Sequence, residues 1–176
     1  MTNPPDDIAS IVASDPPKDG MSPYVRRIRS AIGHELLLCP AASAIIHNER
    51  GEVLLLKRRD DGKWDPPGGH IDPDETPAIA IERETLEETG LIVTATHLIG
   101  VIGGIACEHR YPNNDLIQPL IVCFFCQVTG GALAPVDGEA SEFRYFSRAE
   151  LPVMSTEYAP EILFYQAGQL PFFQRT

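Results

Sequence analysis

Apolar positions along this chain fall in short blocks separated by polar or glycine-rich breaks, and each block predicts one element. Residues 36–47 and 52–59 read as two strands joined by a turn at 48–51. Residues 91–105 begin as a further strand and pass through Gly100, Gly103 and Gly104. Residues 116–129 form the most apolar strand candidate, with a polar turn at 108–115 before it and Gly130-Gly131 marking a turn after it. Residues 143–146 give a short strand, and Ser147 with Glu150 makes a capping-box pattern. Ser22-Pro23 resembles a cap plus first-position proline, opening a basic helix over 24–32 that stops at Gly33. Residues 160–168 predict a short final helix. Strands with a few interspersed helices define a mixed α/β fold.

The most informative helix follows Gly68-Gly69. Thr76 suits the N-cap, Pro77 the first position, and Gly90 the left-handed stop; no Gly or Pro interrupts 78–89. Glu82, Glu84, Glu87 and Glu88 crowd its C-terminal half, where the helix dipole disfavours anions. Glu84 and Glu88 are also a like-charge i,i+4 pair, which costs roughly 0.2–0.5 kcal/mol. Local costs of this kind mark places where function overrides stability. At about 100° per residue, Glu84, Glu87 and Glu88 share one face, while Ala78, Ile79, Ile81, Thr85 and Leu86 gather opposite, where a sheet would pack. Glu82 falls inside that apolar arc, and the pattern gives no reason for it. Three convergent carboxylates repel one another unless a cation sits among them, and hard oxygen ligands suit Mg²⁺ or Mn²⁺.

Gly69, Glu75, Arg83-Glu84, Leu86, Glu87-Glu88, Gly90 and Leu91 fall at the spacing of the Nudix box, and the chain resembles the Nudix hydrolases. Thr85 stands where an aliphatic is usual, and Pro66 where leucine usually precedes Pro-Gly-Gly. Outside the box, SPYVRRIRSAIGHELLL, KWDPPGGHI, YPNND and DGEASEFRYFSRAELP resemble a bacterial branch whose members are described as ADP-ribose pyrophosphatase-like. The resemblance implies an α/β/α sandwich around a mixed sheet over residues 22–176, with 1–21 as a mobile, proline-containing tail. It further implies Mg²⁺-dependent (or Mn²⁺-dependent) hydrolysis of a nucleoside diphosphate linked to a group X. In that reading Glu84 and Glu88 are the principal metal ligands, with Glu87 beside them and the Gly68 carbonyl as a further ligand. Arg83 holds a glutamate by a charge-assisted hydrogen bond, and Glu75 supports the loop and helix; Gly69 and Gly90 are structural. A catalytic carboxylate from the loop before the late strand is expected, with Glu139 favoured over Glu142 and Asp137. ADP-ribose or a nucleotide sugar is the first choice of substrate, and a nucleoside triphosphate, including a damaged one, the second. A nucleotide-sensing module that does not cleave is the non-enzymatic alternative.

Composition narrows the partners. Of 176 residues, 25 are acidic and 14 basic, a net charge of −11. That argues against a general nucleic-acid binder, which needs a basic surface, but not against a nucleotide whose phosphates meet bound metal. No apolar run is long enough to span a bilayer and the first residues lack signal-peptide character, so the expectation is a cytoplasmic protein without a membrane partner. Cys123-Phe-Phe-Cys126 matches C-x-x-C in form. It lies in a strand candidate, where residues three apart point to opposite faces, so buried free thiols are expected for these and for Cys39 and Cys107. Arg26, Arg27 and Arg29 read as a solvated helix face, with contacts in a homodimer as the alternative. Lys57-Arg58-Arg59 is either a charged strand end or a phosphate contact. Trp64 is read as a loop anchor in preference to a base-stacking residue.

Overall fold

The computed structural model describes residues 21–134, 138 and 140–173. The predicted tail therefore lies, but for Met21, outside the described residues. In chain order the elements are α1 (Pro23–Ile32), β1 (Leu37–Ile45), β2 (Val53–Arg58), β3 (Trp64–Asp65), β4 (Gly68–His70), α2 (Pro77–Thr89), β5 (Leu91–Ile102), β6 (His109–Arg110), β7 (Leu116–Gly131), β8 (Ala140–Phe146), α3 (Pro160–Leu163) and β9 (Phe172–Phe173). Single 3-10 turns lie at Ile105–Cys107 and Arg148–Glu150.

The strands form two sheets. The larger runs β4-β1-β7-β5-β9, with β6 also on β7, and the smaller runs β3-β2-β8. The larger sheet is mixed: β1 is parallel to β7 and antiparallel to β4, and β5 is antiparallel to β7. Alternation along β1 divides the core between the two faces. Ala41 and Ile45 pack with Ile121, Cys123, Phe146, Ile162 and Leu163, under α3. Ala42, Ala44 and Ile46 pack with Ile81, Val93 and Cys126, under α2. The layers are thus helix, sheet, helix, and Cys123 and Cys126 fall on opposite faces. All four cysteines are buried and free, as the sequence predicts.

Several boundaries differ from expectation. The chain does turn at 48–51, with Asn48 N donating to Glu52 O and Leu54 N to Ile46 O. Beyond that point β1 and β2 part into different sheets, because β2 pairs with β8 and β3, which period-two patterning cannot reveal. Gly130 and Gly131 continue β7 opposite Ile92 and Leu91 in place of a turn. The late strand begins at Ala140, and the last helix is a single turn. Ser147 donates to the Glu150 carboxylate at 2.8 Å and makes no side-chain cap bond. Arg29 is buried, contrary to the solvated face expected of it. It donates to the carbonyls of Gly33, Glu35 and Leu116 and pairs with Asp115, tying α1 to the start of β7.

Candidate active site

The helix α2 is built as its sequence requires. The Thr76 side chain accepts from Ile79 N, Pro77 occupies the first turn, and Gly90 closes it at φ 72°. Its buried arc comprises Ala80, Ile81, Thr85, Glu88 and Thr89, whereas Ile79 is exposed. That arc is turned by about 60° toward the carboxylates relative to the predicted one, at 100° per residue. Two threonines make this possible: Thr85 Oγ1 donates to Ile81 O and Thr89 Oγ1 to Thr85 O, so neither hydroxyl is buried unpaired.

The turn brings the acids against β4. Glu88 Oε2 accepts the Gly68 amide at 2.8 Å. The Glu84 carboxylate lies directly over Gly69, where a Cβ would stand 2.5 Å from both carboxylate oxygens. Glycine is therefore required there by close approach. A Cβ on Gly68 would likewise stand 2.5 Å from Ala42 O in the neighbouring strand. Glu84 and Glu88 thus meet the Gly68-Gly69 backbone together.

Arg83 organises the rest. Its Nε and one terminal nitrogen grip both Glu75 oxygens at 2.7 and 3.0 Å. The other terminal nitrogen donates to Glu84 at 2.9 Å and Glu87 at 3.0 Å, and a last bond reaches His70 O at 3.2 Å. All five donors of the guanidinium are used. Burial pushes the Glu75 carboxyl upward, but the Arg83 hydrogen bonds and the Asp72 amide outweigh it and hold it below its usual value. Glu87 is drawn to Arg83, and among the described residues no three His, Cys, Asp or Glu side chains already stand at metal-holding spacing. The donor chemistry nevertheless fits a hard divalent ion: two carboxylates converge on one backbone stretch with a third a turn away. Among the described residues, His70 Nε2 and Asp72 Oδ1 are buried without a hydrogen-bond partner.

These residues line a cleft of about 1000 Å³. A second ion cluster lines it too. Arg58 grips Asp60 at 2.9 and 2.5 Å, His109 contacts Asp60 at 3.2 Å, and Asp65 lies 4.0 Å from Arg58. Asp65 is buried and accepts the Thr156 amide at 2.9 Å; burial raises its carboxyl to about 7 against the pull of that bond and of Arg58. Lys57 sits over the Trp64 ring, which itself packs edge-on against Phe146, so Trp64 does anchor its loop. Of the three loop acids, Asp137 and Glu139 lie outside the described residues. Glu142 is exposed, paired opposite Lys57 on β8, and is not among the cleft-lining residues.

Sequence reasoning missed the places of two further acids. Asp65 carries no local signal. Glu82 did carry one, a charge in an apolar arc, and its Oε1 accepts the Ala95 amide of β5 at 2.9 Å.

Comparison with known proteins agrees with this geometry. Residues 37–165 match the NUDIX domain family, and the chain belongs to it: it is a Nudix hydrolase. A Bacillus subtilis protein provisionally named an 8-oxo-dGTP diphosphatase is 36% identical over 112 residues, 64% of this chain and 68% of that one. The ADP-ribose pyrophosphatase of Methanocaldococcus jannaschii is 32% identical over 130 residues, 71% of this chain and 72% of that one. An ADP-ribose pyrophosphatase structure from Streptococcus suis shares the fold, with a TM-score of 0.61 at 23% identity over 77% of this chain and 98% of that one. Among the described residues no helix is long and apolar enough to cross a membrane.

Proposed function

We propose that the chain hydrolyses the diphosphate bond of a nucleoside diphosphate linked to a second group, with ADP-ribose or a nucleotide sugar as that substrate and Mg²⁺ or Mn²⁺ as the ion. The observation that carries this is the convergence of Glu84 and Glu88 on the Gly68-Gly69 backbone. Glu84, Glu88 and the Gly68 carbonyl would hold the ion, with Glu87 as a further ligand. When bound there, such an ion would supply neutralisation of the diphosphate and a lowered pKa for the attacking water. Arg83 keeps the carboxylates in place and Glu75 fixes Arg83. A carboxylate accepts the proton of the attacking water, and Glu139 is assigned that role or a supporting place at the ion.

A nucleoside triphosphate is the second reading, favoured by the name of the Bacillus subtilis relative. A panel of ADP-ribose, nucleotide sugars and triphosphates, with both products identified by chromatography, separates the two. Binding of a nucleotide without turnover under any divalent ion would instead make this a sensing module. For the base, kcat against pH is compared in Glu139→Gln and Glu142→Gln. Glu139→Gln is expected to lose rate and the acidic limb of the profile; loss in Glu142→Gln alone would move the role there.

A further inference from the structure

Glu82 is the one α2 glutamate that the proposed chemistry leaves unused, and it is not at the cleft. Around the helix axis it lies about 160° from Glu84 and about 120° from Glu88, so it occupies the opposite flank. Its partner, the Ala95 amide, sits where β5 and β7 lose register: Ala95 pairs with Cys126 and His97 with Phe125, leaving Thr96 as an extra residue. Thr96 stitches the bulge down by donating to Phe125 O. On the other flank, Glu88 accepts from Gly68 and Arg83 donates to His70 O, both on β4. The strand order β4-β1-β7-β5 leaves two strands between these anchor points. The helix is therefore tied at both flanks to strands on either side of the sheet centre.

We propose that Glu82 is a positioning residue: its bond to the β5 bulge fixes the roll of α2 about its own axis, and with it the place of the Glu84 and Glu88 carboxylates over Gly68-Gly69. The buried arc of Ala80, Ile81, Thr85, Glu88 and Thr89 presses α2 onto the sheet, and the Glu82 bond adds a directional tie on the flank away from β4. Side-chain oxygens lie about 5–6 Å from a helix axis, so a roll of about 10° displaces them by about 1 Å. A misplacement of that size costs on the order of 100-fold in rate at a reacting centre. A leucine at this position would fill the apolar arc better, so stability alone does not select glutamate here. The consequence for turnover rests on the hydrolase reading above; the pinning itself does not.

The test compares Glu82→Leu, which removes the acceptor, with Glu82→Gln, which keeps one. Three quantities are read on the full chain: Ala95 amide exchange, Mn²⁺ affinity, and kcat and KM under Mg²⁺. Glu82→Leu is expected to lose Ala95 protection, bind Mn²⁺ roughly tenfold more weakly and lose roughly 10–100-fold in kcat with little change in KM, while its thermal midpoint holds or rises. Glu82→Gln should stay within about fivefold of the parent on every count, a weaker neutral bond replacing a charged one. If Glu82→Leu does not fold, Glu82→Ala removes the same acceptor without added bulk. Unchanged Mn²⁺ affinity and kcat in the variant lacking the acceptor overturn the proposal, as does a loss in both variants that merely follows a fall in thermal midpoint. If the parent cleaves no nucleotide, the hydrolase reading fails, and Ala95 exchange with Mn²⁺ affinity still decides the pinning.

Discussion

Two ion clusters line the same cleft and are built to opposite ends. Around Arg83 stand Glu75, Glu84 and Glu87, with Glu88 beside them on α2, bonded to β4: four carboxylates to one guanidinium. Around Arg58 stand Asp60 and Asp65, with His109 against Asp60. In the second cluster the acids are spent on structure. Asp65 receives the Thr156 amide, Asp61 receives the Ser155 hydroxyl, and Trp64 exchanges backbone bonds with Val153 and Ser155. The cluster sews β3 to the segment 153–156. In the first, the acids outnumber the one guanidinium they share. Acids bonded to the chain around them hold the fold, whereas an excess of carboxylates at one place is the setting that suits a cation.

Removing an acid from the surplus cluster is the sharpest way to break that contrast. Glu84→Gln or Glu88→Gln is expected to lower kcat by at least ~100-fold, since loss of a group stabilising transition-state charge typically costs that much. The fold should remain intact, because a repelling charge has been removed. Turnover and thermal melting together check this, and near-normal rates in both variants would sink the site assignment. Metal stripping with excess chelator should abolish turnover in the parent; full activity there would be equally damaging.

Removing the cation instead tests whether Arg83 is the organiser. Breaking a buried ion pair costs about 3–5 kcal/mol, and Arg83 is partly exposed, so Arg83→Ala should lose about 2 kcal/mol of stability. Turnover should fall roughly tenfold, because Glu84 and Glu87 lose their shared donor. Added Mg²⁺ should restore part of the lost stability by binding the acids that Arg83 no longer holds. Thermal melts with and without Mg²⁺ read this directly. A variant destabilised equally in both conditions would place Arg83 among ordinary structural ion pairs.

How much of this contrast was legible in the sequence follows from the range of the interactions. The caps of α2, its glycine stop and its acid spacing are local, set by neighbours within one or two turns, and they appear in the structure as read. Gly69 was legible by position in the box, though its reason, the Glu84 carboxylate lying over it, is a tertiary contact. Glu82 announced itself as a misfit but not its partner, thirteen positions further along at Ala95. Arg29 looked like one of three solvated arginines, and only Leu116 and Asp115, far along the chain, make it a buried tie. Asp65 was invisible for the same reason: its burial depends on a segment some ninety residues later. Periodicity places a residue on a face; it does not say what arrives there.

The smallest expected effect on turnover, and the clearest on stability, belongs to Asp65. Folded Asp65 keeps its proton up to about pH 7, whereas an unfolded aspartate loses it near 4. Between those values the folded state binds more protons, so this group makes stability fall as pH rises through the window. Glu75 has the reverse sign. Its folded value is held down by Arg83, so its contribution is present above the ordinary glutamate range and is lost as pH falls through the lower folded value. Asp65→Asn keeps an oxygen for the Thr156 amide and cannot ionise. It should flatten the decline between pH 4 and 7 and leave the variant more stable than the parent at pH 8, by at most about 4 kcal/mol on the full linkage and less where Arg58 compensates the charge. Its kcat should stay within a few-fold of the parent, because Asp65 is bonded to the segment 153–156 and stands outside the proposed ion site. Urea unfolding at intervals from pH 4 to 8 supplies the slope. Identical slopes in parent and variant would remove Asp65 as their cause, and a large fall in kcat would move it from the structural side of the cleft to the catalytic one.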